Sequence, residues 1–110
     1  MCFLHFLHAL SVCFVIFFLP YLHLGFVHYV IHRSTWAETN YCYLEDLYVS
    51  PETRGQHIGK RLIEYVQKQA IAQQCNRLYW HTQETNHTAQ KLYNWVAEKP
   101  GIIEYRMPLE

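Results

Sequence analysis

Asp46-Leu47-Tyr48-Val49-Ser50-Pro51-Glu52-Thr53-Arg54-Gly55-Gln56-His57-Ile58-Gly59-Lys60-Arg61-Leu62-Ile63 is the stretch on which the reading of this chain turns. Its first residues form an apolar strand. Ser50-Pro51 ends that strand, because proline offers no N–H to a central ladder. A short basic loop carrying Gly55 and Gly59 follows, and it opens directly onto an amphipathic helix. Strand, glycine loop and helix start, in that order, gather backbone amides into a cradle for an anion. A pyrophosphate has to approach successive N–H groups, so side chains there must be small or turned away. Lys60 and Arg61 add positive charge at the same end.

Working forward, Ile58, Leu62, Val66 and Ala70 repeat every four residues, and Ile63 and Ile71 widen the stripe. This predicts a helix from Gln56 to Gln74. Cys75-Asn76 is its stop. Arg77 to Thr82 reads as a strand that pairs parallel with the one before the helix. Thr85 or Asn86 caps a second helix running to about Glu98, with Ala89, Leu92, Tyr93 and Val96 on one face. Pro100-Gly101 breaks it, and Ile102 to Met107 reads as a last strand. Working backward, Tyr41–Val49 and Gly25–His32 are strands rich in β-branched and aromatic residues, joined by the polar turn 34–40 into an antiparallel hairpin. The expected class is α/β with a mixed sheet, ordered β-β-α-β-α-β after an apolar N-terminal segment.

That segment sets off two compositional pieces, 1–24 and 25–110. Residues 1 to 32 contain no Asp, Glu, Lys or Arg, and five of the eight histidines fall among them. Met1 to Leu24 is apolar all round, with neither a helical stripe nor alternation. Its length suits a bilayer, which needs about 20 apolar residues. Pro20, His5, His8 and His23 count against a span. No basic residue precedes the apolar run and no small-x-small site follows, which counts against a cleaved signal. Three readings stay open: a membrane-spanning or membrane-inserted segment, a buried core element, or a start foreign to the domain.

The 110 residues allow one domain, and nine basic side chains balance nine acidic ones. Without a basic excess or stripe, nucleic-acid binding is excluded as the main function. Cys2, Cys13, Cys42 and Cys75 lack the spacing of a zinc or redox site, so they read as reduced thiols of a cytoplasmic protein. His57, His81 and His87 lack metal-ligand spacing, and no metal is expected.

Arg54 and Gly59 match the first and last positions of Arg/Gln-x-x-Gly-x-Gly/Ala. One strand further on lies Asn86-His87-Thr88-Ala89-Gln90-Lys91-Leu92-Tyr93, an Asn-x-x-Ala-x-x-Leu-Tyr segment. Together with the Leu-Tyr-Val-Ser-Pro strand end, these resemble the GNAT superfamily of acyl-CoA-dependent N-acetyltransferases over roughly residues 25–109. Tyr43-Leu44-Glu45-Asp46-Leu47-Tyr48-Val49 is similar to the corresponding strand of diamine and polyamine acetyltransferases.

The resemblance implies a chemistry. Acetyl-CoA would lie along Leu47, Tyr48 and Val49, with its pyrophosphate on Arg54, Gly55, Gln56, His57, Ile58, Gly59 and Lys60. Asn86 would contact the cofactor arm. A neutral amine would attack the thioester carbonyl directly, and a strand N–H would stabilise the oxyanion. Tyr93 would protonate the departing thiolate, since a phenol holds its proton at neutral pH. Glu45 or Asp46 would bind a cationic small-molecule amine, and Glu45 could also activate it through water. Strand alternation puts these two carboxylates on opposite faces unless a bulge intervenes. Tyr93 as a packing residue and Asn86 as a simple helix cap remain open beside these roles.

Two departures stand out. His57 occupies a position where the family prefers glycine. The family's first strand and helices, which build much of the acceptor pocket, are replaced here by the apolar tract. A CoA-binding remnant without transfer activity and a small membrane-anchored protein are therefore carried as alternatives. A second copy of this chain, and a membrane touched by residues 1–24, are carried as further partners.

Overall fold

The computed structural model describes residues 11–19, 22–53 and 55–110, with side chains from Leu24 onward. The elements run β1 (Ser11–Leu19), β2 (Leu22–His32), β3 (Tyr41–Val49), a single 3-10 turn (Pro51–Thr53), α1 (Ile58–Ala72), β4 (Arg77–Tyr79) and α2 (His87–Val96). The four strands form one sheet in the order β1-β2-β3-β4. β1 and β2, and β2 and β3, pair antiparallel, and β4 joins β3 in parallel after the α1 crossover. The mixed sheet and the parallel last pair are as the sequence pattern predicts.

Of the three readings open for the apolar tract, the structure agrees with an element of the domain itself. Ser11–Leu19 is an extended strand laddered to β2 from Ser11↔Ile31 to Leu19↔Leu22. β2 itself starts at Leu22, so one ladder crosses the compositional boundary at residue 24. A run of Val, Ile and Phe is as well suited to a strand as to an apolar helix, and a neighbouring strand decides which forms. Among the described residues, no helix is long and apolar enough to cross a membrane.

The core lies between the sheet and α1. Along β2, Leu24, Val27, Tyr29 and Ile31 are buried, whereas Phe26, His28, Val30 and His32 alternate to the other, half-covered face. Cys42 and Leu44 of β3 join the buried set, as do Ile58, Leu62, Ile63, Val66 and Ala70 of α1. Ile71, read as part of the apolar stripe, is 67% exposed. At 100° per residue it has drifted off the buried face.

α1 stops where the backbone turns left-handed. Gln74 has φ 59°, and the Cys75 N–H reaches back to the Ala70 carbonyl at 2.9 Å. Asn76 then donates to the Asn40 carbonyl at 2.8 Å, which ties the start of β4 to the start of β3.

Two expected strands are shorter than their sequence suggests. β4 ends at Tyr79, and Trp80 to Thr82 carry no ladder. Ile102–Met107 is not a strand at all. Ile102, Ile103, Tyr105 and Met107 are 73–90% exposed, and no strand among the described residues pairs with them. Propensity alone cannot make a strand, because its backbone groups need a partner.

Candidate active site

The glycine loop and the start of α1 assemble as an open N-terminus. The Ser50 N–H donates to the Leu24 carbonyl at 2.8 Å, and buried Thr53 donates its hydroxyl to the Ser50 carbonyl at 2.9 Å. These bonds fix the chain's exit from β3. Glu52 accepts from the Ser50 hydroxyl, which holds its carboxyl below the usual range. Gly55 follows at φ 88° with open space before it. Arg54 lies outside the described residues.

His57 is the N-cap of α1 at φ 58°, and no side chain caps the helix. The first intrahelical bond runs from the Arg61 N–H to the His57 carbonyl at 3.1 Å. The amides of Ile58, Gly59 and Lys60 therefore have no partner within the helix and point out of its positive end. Gln56 and His57 are exposed, and Lys60 is half-buried.

Gly59 has a further reason to be glycine. A Cβ there would lie 3.0 Å from Leu92 Cδ2, 3.6 Å from Val49 Cγ2 and 4.0 Å from Leu47 Cδ2. The first turn of α1 is thus pressed into the corner between the end of β3 and the middle of α2. Sequence reasoning assigned this small residue to phosphate approach; close packing requires it as well.

Beside this corner the sheet opens. β4 pairs with β3 only through Tyr41↔Arg77, Cys42↔Leu78 and Tyr43↔Tyr79. From Leu44 to Val49, β3 continues without β4 beside it. Leu47 and Val49 pack partly against the core, and Tyr48, on the other face, stacks on Phe26 with ring centroids 5.5 Å apart.

The carboxylates lie on the face away from α1. A register shift between His28 and Tyr29 pairs His28 with Asp46 and Tyr29 with Leu44, so Glu45 is the extra residue of a bulge. This bulge cancels the alternation and places both carboxylates on one face. His28 Nδ1 lies 3.1 Å from Asp46 Oδ2 and 3.9 Å from Glu45 Oε2. The bulge that the sequence left open as the exception to strand alternation is thus present. His28 was not a candidate in the sequence, because only the β2–β3 register brings it to residues so far along the chain. Farther along this face Tyr43 and Tyr79 are tilted together at 5.0 Å, and Tyr79 OH lies 2.6 Å from His32 Nε2. Burial first, then the charges of Glu45, Asp46 and Glu104, push the Tyr43 phenol above its ordinary value.

Tyr93 belongs to the other side. It packs against the core cluster and meets Trp80 edge-on at 5.5 Å. Burial raises its phenol pKa above the ordinary 10.0. Asn86 caps α2, its side chain accepting from the Ala89 N–H at 3.2 Å. Trp95, in the last turn of α2, meets the His57 ring at 5.4 Å, and the Lys60 ammonium stands 4.7 Å from the centre of its ring. Sequence reasoning passed over Trp95 because it lies off the apolar face of its helix.

Most of this chain is similar to known proteins. The family model described as the Acetyltransferase (GNAT) family matches residues 6–95. A D-amino-acid N-acetyltransferase of Saccharomyces cerevisiae is 37% identical over 83 residues, which cover 76% of this chain and 52% of that protein. A thialysine N-epsilon-acetyltransferase of Bos taurus is 41% identical over 69 residues, 63% of this chain and 40% of that one. Among solved structures, an integron cassette protein from the mobile metagenome of V. cholerae superposes with a TM-score of 0.80 at 30% identity. That match covers 89% of this chain and 62% of the cassette protein. The chain thus spans about half the length of the curated relatives it matches.

Proposed function

The chain belongs to the GNAT acetyltransferase family, and on that premise we propose that it transfers an acetyl group from acetyl-CoA to a primary amine. The observation that carries this reading is the junction of an uncapped helix start with a strand, β3, that runs on beyond the end of its parallel partner β4. The residues present fit the cosubstrate. The amides of Ile58, Gly59 and Lys60 and the Lys60 ammonium are donors for a pyrophosphate. The part of β3 that runs on beyond the end of β4, Leu47 to Val49, is a rail for the pantetheine arm, and Gly55, Gln56 and His57 line the approach. Arg54 precedes this loop and adds charge. Acetyl-CoA supplies an activated thioester.

Each remaining residue has a task in this reading. Glu45 and Asp46, on one face through the bulge, attract the cationic amine, and His28 holds Asp46 in place. Glu45 takes the proton that the amine must lose before it attacks. Tyr93 gives its proton to the departing thiolate, and its raised pKa keeps that proton in place through the neutral range. Asn86 fixes the start of α2 and with it the direction of Tyr93. The names of the relatives, acting on D-amino acids and on thialysine, favour a small acceptor carrying an amine. A diamine or polyamine fits the two carboxylates.

A second reading is favoured by one observation. Among the described residues no helix covers the sheet face that bears Glu45 and Asp46, so this chain can hold CoA without enclosing an acceptor. Calorimetry with acetyl-CoA, followed by an acetyl-transfer assay on amino acids, thialysine and diamines, separates the two. Binding with transfer supports the enzyme. Binding without transfer to any amine leaves only the second reading, and absence of binding overturns both.

A further inference from the structure

A cavity of about 320 Å³ opens along one flank of α1, between that helix, β4 and the end of α2. It lies at the small end of the roughly 300–1,000 Å³ typical of ligand pockets. Two indoles, Trp80 and Trp95, line it together with the apolar side chain of Ile63. Lys60, Glu64 and Gln67 give it a polar wall along α1. Lys60 belongs at once to this wall and to the first turn of α1, so the cavity is continuous with the anion-binding helix start.

Trp95 is 59% exposed, which is unusual for an indole that the core does not need. Its contacts point toward the helix start: the His57 ring meets it edge-on and the Lys60 ammonium sits against it. Lys60 is also 3.5 Å from Glu64. An aromatic platform, a cation and a carboxylate in sequence along a cavity form a receptor for a flat heteroaromatic ring bearing a phosphate and an exocyclic amine. The ring stacks, the phosphate meets Lys60, and the amine donates to Glu64 or Gln67.

We infer that this cavity receives the purine base of the cosubstrate's nucleotide end, with the Trp95 indole as its stacking surface. The inference rests on the acetyl-CoA reading of the α1 start. The base is the end of CoA remote from the thioester, so Trp95 governs affinity and the chemical step is untouched by it.

The full chain is titrated with CoA and, separately, with its adenosine bisphosphate half and its phosphopantetheine half, using calorimetry and tryptophan emission. The adenosine half quenches the emission of the wild type. Trp95→Ala weakens CoA on the order of 10- to 100-fold, the worth of one base on an aromatic side chain. Its affinity for the phosphopantetheine half stays at the wild-type value, and Trp95→Phe restores most of the CoA binding. Circular dichroism melting confirms that the variants are folded; the exposure of Trp95 makes that outcome expected. Wild-type CoA affinity in Trp95→Ala, or equal loss of both halves, overturns the inference. The parent reading fails differently. If the adenosine half binds at Trp95 but no amine is acetylated, the base site stands and the acetyltransferase falls. If the wild type binds none of the three, both fall.

Discussion

His57 holds φ 58°, in the left-handed region that costs a non-glycine residue roughly 1–2 kcal/mol. Its position is where the family resemblance calls for glycine, and the backbone angle supplies the reason. Glycine at this site gives back part of the gain through unfolded-chain entropy, roughly 0.5–1 kcal/mol. His57→Gly is therefore expected to stabilise the fold by about 0.5 kcal/mol in urea unfolding, and to strengthen CoA binding by uncovering the helix start. Tyr93 presents the opposite case, a residue whose position follows from the sequence but whose acidity does not. With its phenol raised above 10.0 by burial, it is protonated throughout the neutral range. Tyr93→Phe is expected to lower kcat about 100-fold, the low end for loss of a general acid, while the CoA Kd stays unchanged. In the wild type the alkaline fall in kcat should come above pH 10 for the same reason, and in the variant this fall should vanish. An equal loss in kcat and CoA affinity would assign Tyr93 to packing.

At the scale of elements, the contact that organises the site is α1 against the corner of β3 and α2. Gly59 allows it. A methyl group there meets Leu92 at 3.0 Å, within a corner already closed by Val49 and Leu47. Gly59→Ala should then destabilise by roughly 1–3 kcal/mol, the usual cost of overpacking. Ile71→Ala, on the exposed side of the same helix, should stay within about 0.5 kcal/mol. Denaturant midpoints of the two variants check this directly. The β-bulge at Glu45 has a comparable role on β3. By adding one residue between Leu44 and Asp46, it turns two carboxylates toward the same histidine. No residue in Tyr-Leu-Glu-Asp-Leu announces a bulge, since any of them is at home in a regular strand. The pairing partner, β2, imposes it.

At the scale of the whole fold, three partly buried phenols among the described residues, Tyr43, Tyr79 and Tyr93, are raised above 10.0, chiefly by burial. As pH rises through that value, unfolded chains lose these protons first. The native state then binds more protons than the unfolded one, so stability falls with further rise in pH, while below that pH the phenols contribute no slope. Urea midpoints should accordingly be flat in this respect through neutrality and decline above pH 10, in step with the appearance of phenolate absorbance. A midpoint indifferent to alkali would show that the phenols are as open in the folded chain as in the unfolded one. The sequence by itself determined the central unit of this protein: two strands, a proline stop, a glycine loop, a helix and a parallel return, ending in a capped second helix. Those elements are local, written in the period-four stripe of α1, in Ser50-Pro51 and in the Asn86 cap. Tertiary structure alone decided three other matters. It made Ser11–Leu19 a strand, because β2 offered a ladder. It left Ile102–Met107 without one, because no edge reached it. And it brought His28 to Glu45 and Asp46, and Trp95 to Lys60, through pairings and packings between residues far apart in the chain. The physical reason is common to all three: an apolar or polar side chain states what it can contact, and only the neighbour that arrives determines what it does contact.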